Sequence, residues 1–267
     1  MDNIKTEEYL LKYAFGNSIT RHQLLDELDR VWDMYGLSNT KSLKKQQEKI
    51  ANFYSHPVWI INGLFSEIDT DSKNHRISIA NYTKKYNLKK IADFGGGSGI
   101  LAKYLSECNP DSNIDVIEPY PLEIFTQKLA DKNNIKFMSK LEGEYDLIIA
   151  QDVLEHVENP ISVAQEMISS VKIGGYLYFA NCFFPEIKCH LPSNFYLRNT
   201  FKYLMILSGL KYIGLVDGTN HVQVFQKISR VPFLKSKMIN NILYANRFFF
   251  DIFFKIKSLI KKCINKP

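Results

Sequence analysis

The segment KIADFGGGSGI, residues 90–100, joins a short apolar run ending in an acid, Asp93, to four glycines within five positions. An apolar run of this length bounded by glycines reads as a buried strand. The glycines leave a backbone without side chains, which a ligand can approach closely. The pattern repeats along the chain. IDVIE, IKFM, YDLIIA, YLYFAN, KYIGLV and HVQVFQK read as further strands, and GILAKYLSECN, PLEIFTQKLADK and PISVAQEMISSVK read as helices between them. Repeated strand-helix units place parallel strands in one sheet with helices on both faces. The predicted fold class is therefore α/β, a doubly wound, Rossmann-like, seven-stranded and mostly parallel sheet. Only DGTN separates the last two strands. That is too short for a parallel crossover, so these two should pair antiparallel at an edge.

Three zones follow from the composition. Residues 1–88 read as a helical region. In TRHQLLDELDRVWDMYG, Thr20 and Gln23 make a capping box, Leu24, Leu25, Leu28, Val31, Trp32 and Tyr35 share a face, and Gly36 ends the helix. Residues 89–229 hold the sheet. Residues 230–267 form a basic, apolar tail in which Phe249, Ile252, Phe253, Ile256, Leu259, Ile260 and Cys263 fall on a helical stripe. The tail carries +8 of a total of +6, leaving −2 on residues 1–229. The basic balance is thus no argument for a nucleic-acid partner. Two readings of the tail stay open: packing on protein, including a homodimer, or an amphipathic anchor whose Lys255, Lys257, Lys261 and Lys262 meet anionic lipid. Four scattered cysteines, no secretion signal and no apolar run of about 18 residues point to the cytoplasm, with the tail reaching the inner face of the membrane if it anchors.

A glycine loop between a first strand and a helix favours an anionic group, because the helix aims unpaired N–H groups at it. The dinucleotide fingerprint wants a glycine at position 100, where this chain has Ile100. The strand ending in Asp93, followed by Gly95, Gly97 and Gly99, instead resembles the first motif of the class I S-adenosylmethionine-dependent methyltransferases. IDVIEPYP supplies Glu118 at the end of the second strand, YDLIIAQDVLEHVENP resembles the fourth-strand motif, and VKIGGYLYFA resembles the turn before the fifth. The resemblance implies S-adenosyl-L-methionine as co-substrate, with its methionine carboxylate at Gly95, Gly97 and Gly99. It also implies that Asp93 orients the loop and the ligand's ammonium, and that Glu118 takes both ribose hydroxyls. Gly174 and Gly175 read as a helix C-cap, Asp115 and Asp146 as solvent-facing or turn residues, and His221 as structural.

Methyl transfer is an in-line displacement, so the protein must align the acceptor and, for a hydroxyl, remove its proton. The carboxyl ends of the fourth and fifth strands should hold the base. QDVLEHV offers Gln151, assigned to the methionine part, and Asp152, Glu155 and His156. Asp152 with Glu155 reads as the capping box of a short helix. The same residues with His156 resemble an acid-x-x-Glu-His cluster that binds a divalent cation in some quinone and RNA-end O-methyltransferases. The structural reading is preferred, so no metal ligand is assigned. The long connection CFFPEIKCHLPSNFYLRNT, 182–200, suits a substrate loop. In it His190 is a second candidate base, and Arg198 either binds an anionic substrate group or caps a carbonyl. His56 and Trp59 are candidates for the opposite wall. Asp152, His156 and His190 are the catalytic candidates. The expected function is methylation, with oxygen the favoured atom, of a small molecule or a glycan precursor. The alternatives are an inactive cofactor-binding scaffold tethered by its tail and, less favoured, a nicotinamide-dependent oxidoreductase.

Overall fold

A computed structural model describes residues 19–230 and 233–245. Among these residues lies one seven-stranded sheet in the order β3-β2-β1-β4-β5-β7-β6. Its strands are β1 (Lys90–Phe94), β2 (Asn113–Ile117), β3 (Ile135–Met138), β4 (Tyr145–Gln151), β5 (Val171–Ala180), β6 (Leu210–Leu215) and β7 (Val222–Lys227). The pairs from β3 through β5 are parallel, and β7 runs antiparallel to both β5 and β6. The fold is the predicted one, with the antiparallel pair at the edge.

Side-chain alternation sorts each strand onto two cores. Ala92, Ile148, Leu177 and Phe179 face the core shared with α7 (Pro160–Ser170) and α8 (Leu197–Leu207). Ile91, Leu147, Ile149 and Tyr178 face the other, shared with α4 (Thr70–Thr83) and α5 (Ile100–Cys108). Burial on both faces explains why these strands read as continuous apolar runs. Each fully buried Ile or Leu contributes about 1.5–3 kcal/mol.

A third core joins α1 (Arg21–Met34), α2 (Gln47–Tyr54) and α3 (Val58–Ile68) through Leu24, Leu28, Val31, Trp32, Phe53 and Ile61. The Thr20 capping box is present: Gln23 N–H donates to the Thr20 hydroxyl, 3.3 Å, and Thr20 N–H donates to Gln23 Oε1, 2.9 Å. Glu27 sits buried on the same helix, held by Arg30 at 2.6 Å. A short α6 (Glu123–Lys128) follows β2, and α9 (Phe233–Ala245) packs near α7 and α8.

Two readings are corrected. Gly174 and Gly175 do not cap a helix, because α7 stops at Ser170 and both glycines lie inside β5. A Cβ on Gly175 would come within 2.9 Å of the Asp146 carbonyl oxygen, so close backbone approach at a bulge is what requires it. Asp115 is buried rather than solvent-facing, accepting from the Tyr145 hydroxyl at 2.8 Å with Lys90 at 3.5 Å. Asp146 binds the Lys89 and Lys90 N–H groups and Lys172, tying β1, β4 and β5 together at their amino ends. The stripe Phe249–Cys263 lies outside the described residues. No helix among the described residues is long and apolar enough to cross a membrane.

Candidate active site

The sheet order reverses between β1 and β4, and the crevice outside the carboxyl ends at such a point is where open α/β sheets bind ligands. A cavity of about 910 Å³ lies here. Its floor is the glycine loop and the ends of β2 and β4; α1, α2, α3 and α4 contribute the facing wall.

The loop is built from backbone contacts. Gly95 N–H donates to the Ile117 carbonyl oxygen at 2.8 Å, locking β1 to β2. Gly95, Gly97 and Gly99 all have positive φ. A Cβ on Gly99 would strike Leu129 at 2.6 Å and one on Gly95 would strike Val153 at 2.5 Å, so both are also required by packing. Gly97 differs. Its φ is +51° and a Cβ there would meet nothing within 4 Å, because it faces the cavity. Packing does not explain the bareness of Gly97; its left-handed φ does, and the space its absent side chain leaves opens on the cavity.

Glu118 stands across from it. One carboxylate oxygen accepts from Gly97 N–H at 3.1 Å and the other from Tyr120 N–H at 3.0 Å. Burial raises its pKa, while those two hydrogen bonds favour the charged form. Asp93 lies beneath the loop and does not line the cavity: it is 2% exposed, and the Cβ position of Gly96 is 2.6 Å from its Oδ2. Burial pushes its pKa up to about 7, against the pull of Arg76 and the Ala102 N–H. Gln151, at the end of β4, lines the cavity with a buried, unpartnered Oε1.

Asp152 is not a helix cap. The following turn, Leu154–His156, has no side-chain cap, and Asp152 itself has φ +53°, the only positive value at a non-glycine among the described residues. Such a conformation costs about 1–3 kcal/mol and turns the chain sharply off β4. Its N–H donates to the Ala180 carbonyl oxygen at 2.8 Å, which fixes the turn against β5.

Glu155, His156 and His190 gather beside it, with donor atoms within 4.8 Å of one another. Glu155 is fully buried; Oε1 accepts from Cys182 N–H at 2.7 Å and Oε2 has no partner. Burial and then the Asp152 charge push its pKa up to about 8. Burial and then His190 lower His156 to about 3, and its Nδ1 is unpartnered. The His156 and His190 rings meet edge-on at 4.8 Å. His190 Nδ1 lies 2.7 Å from the Phe184 carbonyl oxygen. A carbonyl only accepts, so Nδ1 carries the proton and Nε2 keeps a lone pair. Burial lowers the pKa of His190 as well, so the imidazole is neutral.

Trp59 lines the cavity as expected, stacked on Tyr54, which stacks on Tyr120. His56 does not; it is buried, accepts from Val58 N–H, and is lowered to about 4 by burial. Arg198 follows the carbonyl reading, donating twice to the Phe183 oxygen and stacking over Phe184 at 3.6 Å. His221 is corrected: it lines the cavity, stacked 4.8 Å from His75 of α4. Sequence reading also missed His75 and Arg76. Both lie on a helix outside any motif, and no spacing rule marks them.

A methyltransferase-domain family model matches residues 69–199. Among curated proteins, the chain is 32% identical over 101 residues to a ubiquinone biosynthesis O-methyltransferase of Shewanella pealeana, covering 34% of this chain and 43% of the relative. It is 25% identical over 208 residues to the protein of the same name from Erwinia tasmaniensis, covering 70% and 76%. The chain thus spans less than half of the first of these relatives. Two solved structures share the fold. One is an O-methyltransferase family protein from Burkholderia thailandensis, with TM-score 0.53, 13% identity and coverage of 84% and 77%. The other is human N-acetylserotonin methyltransferase in complex with SAM, with TM-score 0.51, 16% identity and coverage of 77% and 65%.

Proposed function

We propose that this chain, whose residues 69–199 match a methyltransferase-domain family model, is a class I S-adenosylmethionine-dependent methyltransferase that methylates a hydroxyl oxygen of a small molecule held in this cavity. S-adenosylmethionine, when bound, supplies a methyl group made electrophilic by its sulfonium. The fit to this chain rests on Gly97, a left-handed glycine whose side-chain space is open cavity, opposite the carboxylate of Glu118. Glu118 would hold the ribose hydroxyls, Gly95 and Gly97 the amino-acid end, and Gln151 the same end from β4, while Gly99, buried against Leu129 outside the cavity lining, shapes the loop. Asp93 supports the loop from below.

The cavity is larger than one nucleoside needs, and its far wall is apolar, with Leu24, Leu25, Leu28 and Ile50. That wall favours an acceptor carrying apolar surface over a bare sugar. His190 is the base in this reading. Its Nε2 lone pair would take the hydroxyl proton as the oxygen attacks, and the Phe184 carbonyl would stabilise the imidazolium through Nδ1–H. Radiolabelled S-adenosylmethionine offered with phenolic, alcoholic and glycosidic acceptors tests this. Transfer to none of them, despite binding of S-adenosylhomocysteine, would reject the enzyme reading and leave the scaffold.

One observation favours a second reading of the same cluster. Glu155 Oε2 and His156 Nδ1 are buried without partners, beside His190. A divalent cation would satisfy both, and two imidazoles with a carboxylate are a suitable donor set. These residues would then orient the acceptor oxygen through the ion, and His190 would not be the base. Metal analysis of the purified protein, with Glu155→Ala as comparison, separates the two.

A further inference from the structure

The loop that follows β5 brings Cys182, Glu186, Ile187 and His190 to the cavity wall, and it is held from two sides. Beyond His190 it is tied to the sheet: Leu191 N–H donates to the Glu155 carbonyl oxygen at 3.0 Å, and Asn194 Nδ2 donates to the Val157 oxygen at 2.8 Å. Before His190 it is tied to the N-terminal helices. Lys188 N–H donates to Asp29 Oδ1 of α1 at 2.6 Å, the Lys188 ammonium pairs with Asp33, and the Lys188 carbonyl oxygen accepts from Asn39 Nδ2 at 2.9 Å. Cys189 is buried in the helical core with Leu28 and Val31. His190 therefore stands at the seam between the sheet and the helical region.

The contacts on the helical side are not equal. The Lys188–Asp33 pair joins side chains that are 43% and 59% exposed, and such pairs contribute little. The Asp29 bond differs, because a carboxylate grips a backbone N–H in a short, charge-assisted bond and so fixes main chain two residues from the imidazole. His190 N–H donates to the Ile187 carbonyl oxygen at 3.0 Å, which closes a turn, so that main chain held at 188 carries position 190 with it. The same helix lines the apolar wall. Leu25 and Leu28, within four residues of Asp29, face the cavity, whereas Asp29 itself lies outside the lining.

Resting on the methyltransferase reading, we propose that Asp29 is a positioning residue: by holding the Lys188 N–H it ties the loop that carries His190 to α1, so the helix that lines the acceptor wall also sets the imidazole. The ring is then pinned twice, through the tether at 188 and through Nδ1 against the Phe184 carbonyl oxygen at 2.7 Å. The helical region is thereby part of the reacting geometry and not only a cover over it. Losing the tether frees the ring and leaves the crevice at Gly97 and Glu118 intact.

Nitrogen-15 imidazole spectra of the full chain, dialysed against chelator, read the His190 tautomer directly, with His190→Gln assigning its signals. The wild type should show one tautomer, protonated at Nδ1. Asp29→Ala should move that signal toward a tautomer average and speed hydrogen exchange of the Lys188 amide on the order of tenfold, the effect of one partly exposed hydrogen bond. Asp29→Asn keeps an acceptor oxygen and should return both readings toward wild type. S-adenosylhomocysteine affinity, by calorimetry, should be equal in all three proteins. A wild-type ring that already averages, a signal unmoved by Asp29→Ala, equal loosening in Asp29→Asn, or loss of S-adenosylhomocysteine binding in Asp29→Ala alone overturns the assignment. If the wild type itself fails to bind S-adenosylhomocysteine, the methyltransferase reading falls, while the His190 signal still decides whether Asp29 holds the loop.

Discussion

Gly97→Ala and Gly174→Ala together separate backbone strain from ligand space. Gly97 has φ +51° and Gly174 φ +86°, and at both a Cβ would meet nothing within 4 Å. Neither methyl overpacks, so each substitution costs only the left-handed penalty of a non-glycine residue, about 1–2 kcal/mol. For a chain of this size that lowers Tm by about 2–8 °C. The two should therefore melt alike. They differ in what the open space is: Gly97 faces the cavity opposite Glu118, whereas Gly174 lies in β5 and does not line it. A methyl at 97 takes the position of a ligand atom while the backbone N–H to Glu118 is kept. S-adenosylhomocysteine affinity should then drop by about tenfold or more in Gly97→Ala, the loss of roughly one good contact, and stay at wild type in Gly174→Ala. Calorimetry and thermal melts on the same samples read both effects. If Gly97→Ala binds as tightly as Gly174→Ala, the open space at 97 is not the ligand's and the site is misplaced.

Glu118→Gln keeps the shape but removes the charge that Gly97 and Tyr120 hydrogen-bond; it should weaken S-adenosylhomocysteine binding by about tenfold, because charge-assisted bonds are roughly twice as strong as neutral ones. His190→Gln should cut kcat by about a hundredfold or more with co-substrate binding unchanged, and an unaltered kcat would remove His190 from the proton transfer. Asp93 and Glu155, raised to about 7 and about 8, keep protons in the folded state that the unfolded chain loses near 3.8 and 4.5. Each therefore stabilises less as pH rises through its window, whereas His56, His75 and His156, lowered to about 4, 4 and 3, destabilise only below 6.5. Metal-free protein should thus lose stability between about pH 6.5 and 8 in urea melts, and Asp93→Asn with Glu155→Gln should flatten that slope. Gly63→Ala places a Cβ 2.4 Å from Phe125 and 2.9 Å from Ser98, so it should cost about 1–3 kcal/mol by overpacking and loosen α3 from the glycine loop, read as a fall in urea midpoint. Sedimentation with anionic vesicles, comparing the full chain with one ended near Arg230, tests the tail as a lipid anchor; equal sedimentation of both would reject it.

What the letters alone determined is local and periodic. Continuous apolar runs set the strands, the short DGTN link set the antiparallel edge, and Thr20 with Gln23 set the start of α1, because each depends on residues within one turn or one strand of each other. The cofactor loop was legible for the same reason: an acid and three spaced glycines lie within seven positions, and Glu118 ends the next strand. The acceptor side was not. Asp152 and Glu155 have capping-box spacing, yet Asp152 adopts a left-handed turn because β5 holds its N–H. His156 and His190, 34 positions apart in sequence, meet at 4.8 Å only because the loop after β5 folds back over β4. Arg76, His75 and His221 carry no motif and become site residues solely because the first half of α4 and the turn before β7 both lie at the carboxyl ends of the parallel strands. Backbone preferences are encoded over a few residues, whereas a binding pocket is made of side chains from distant elements whose meeting depends on the packed whole.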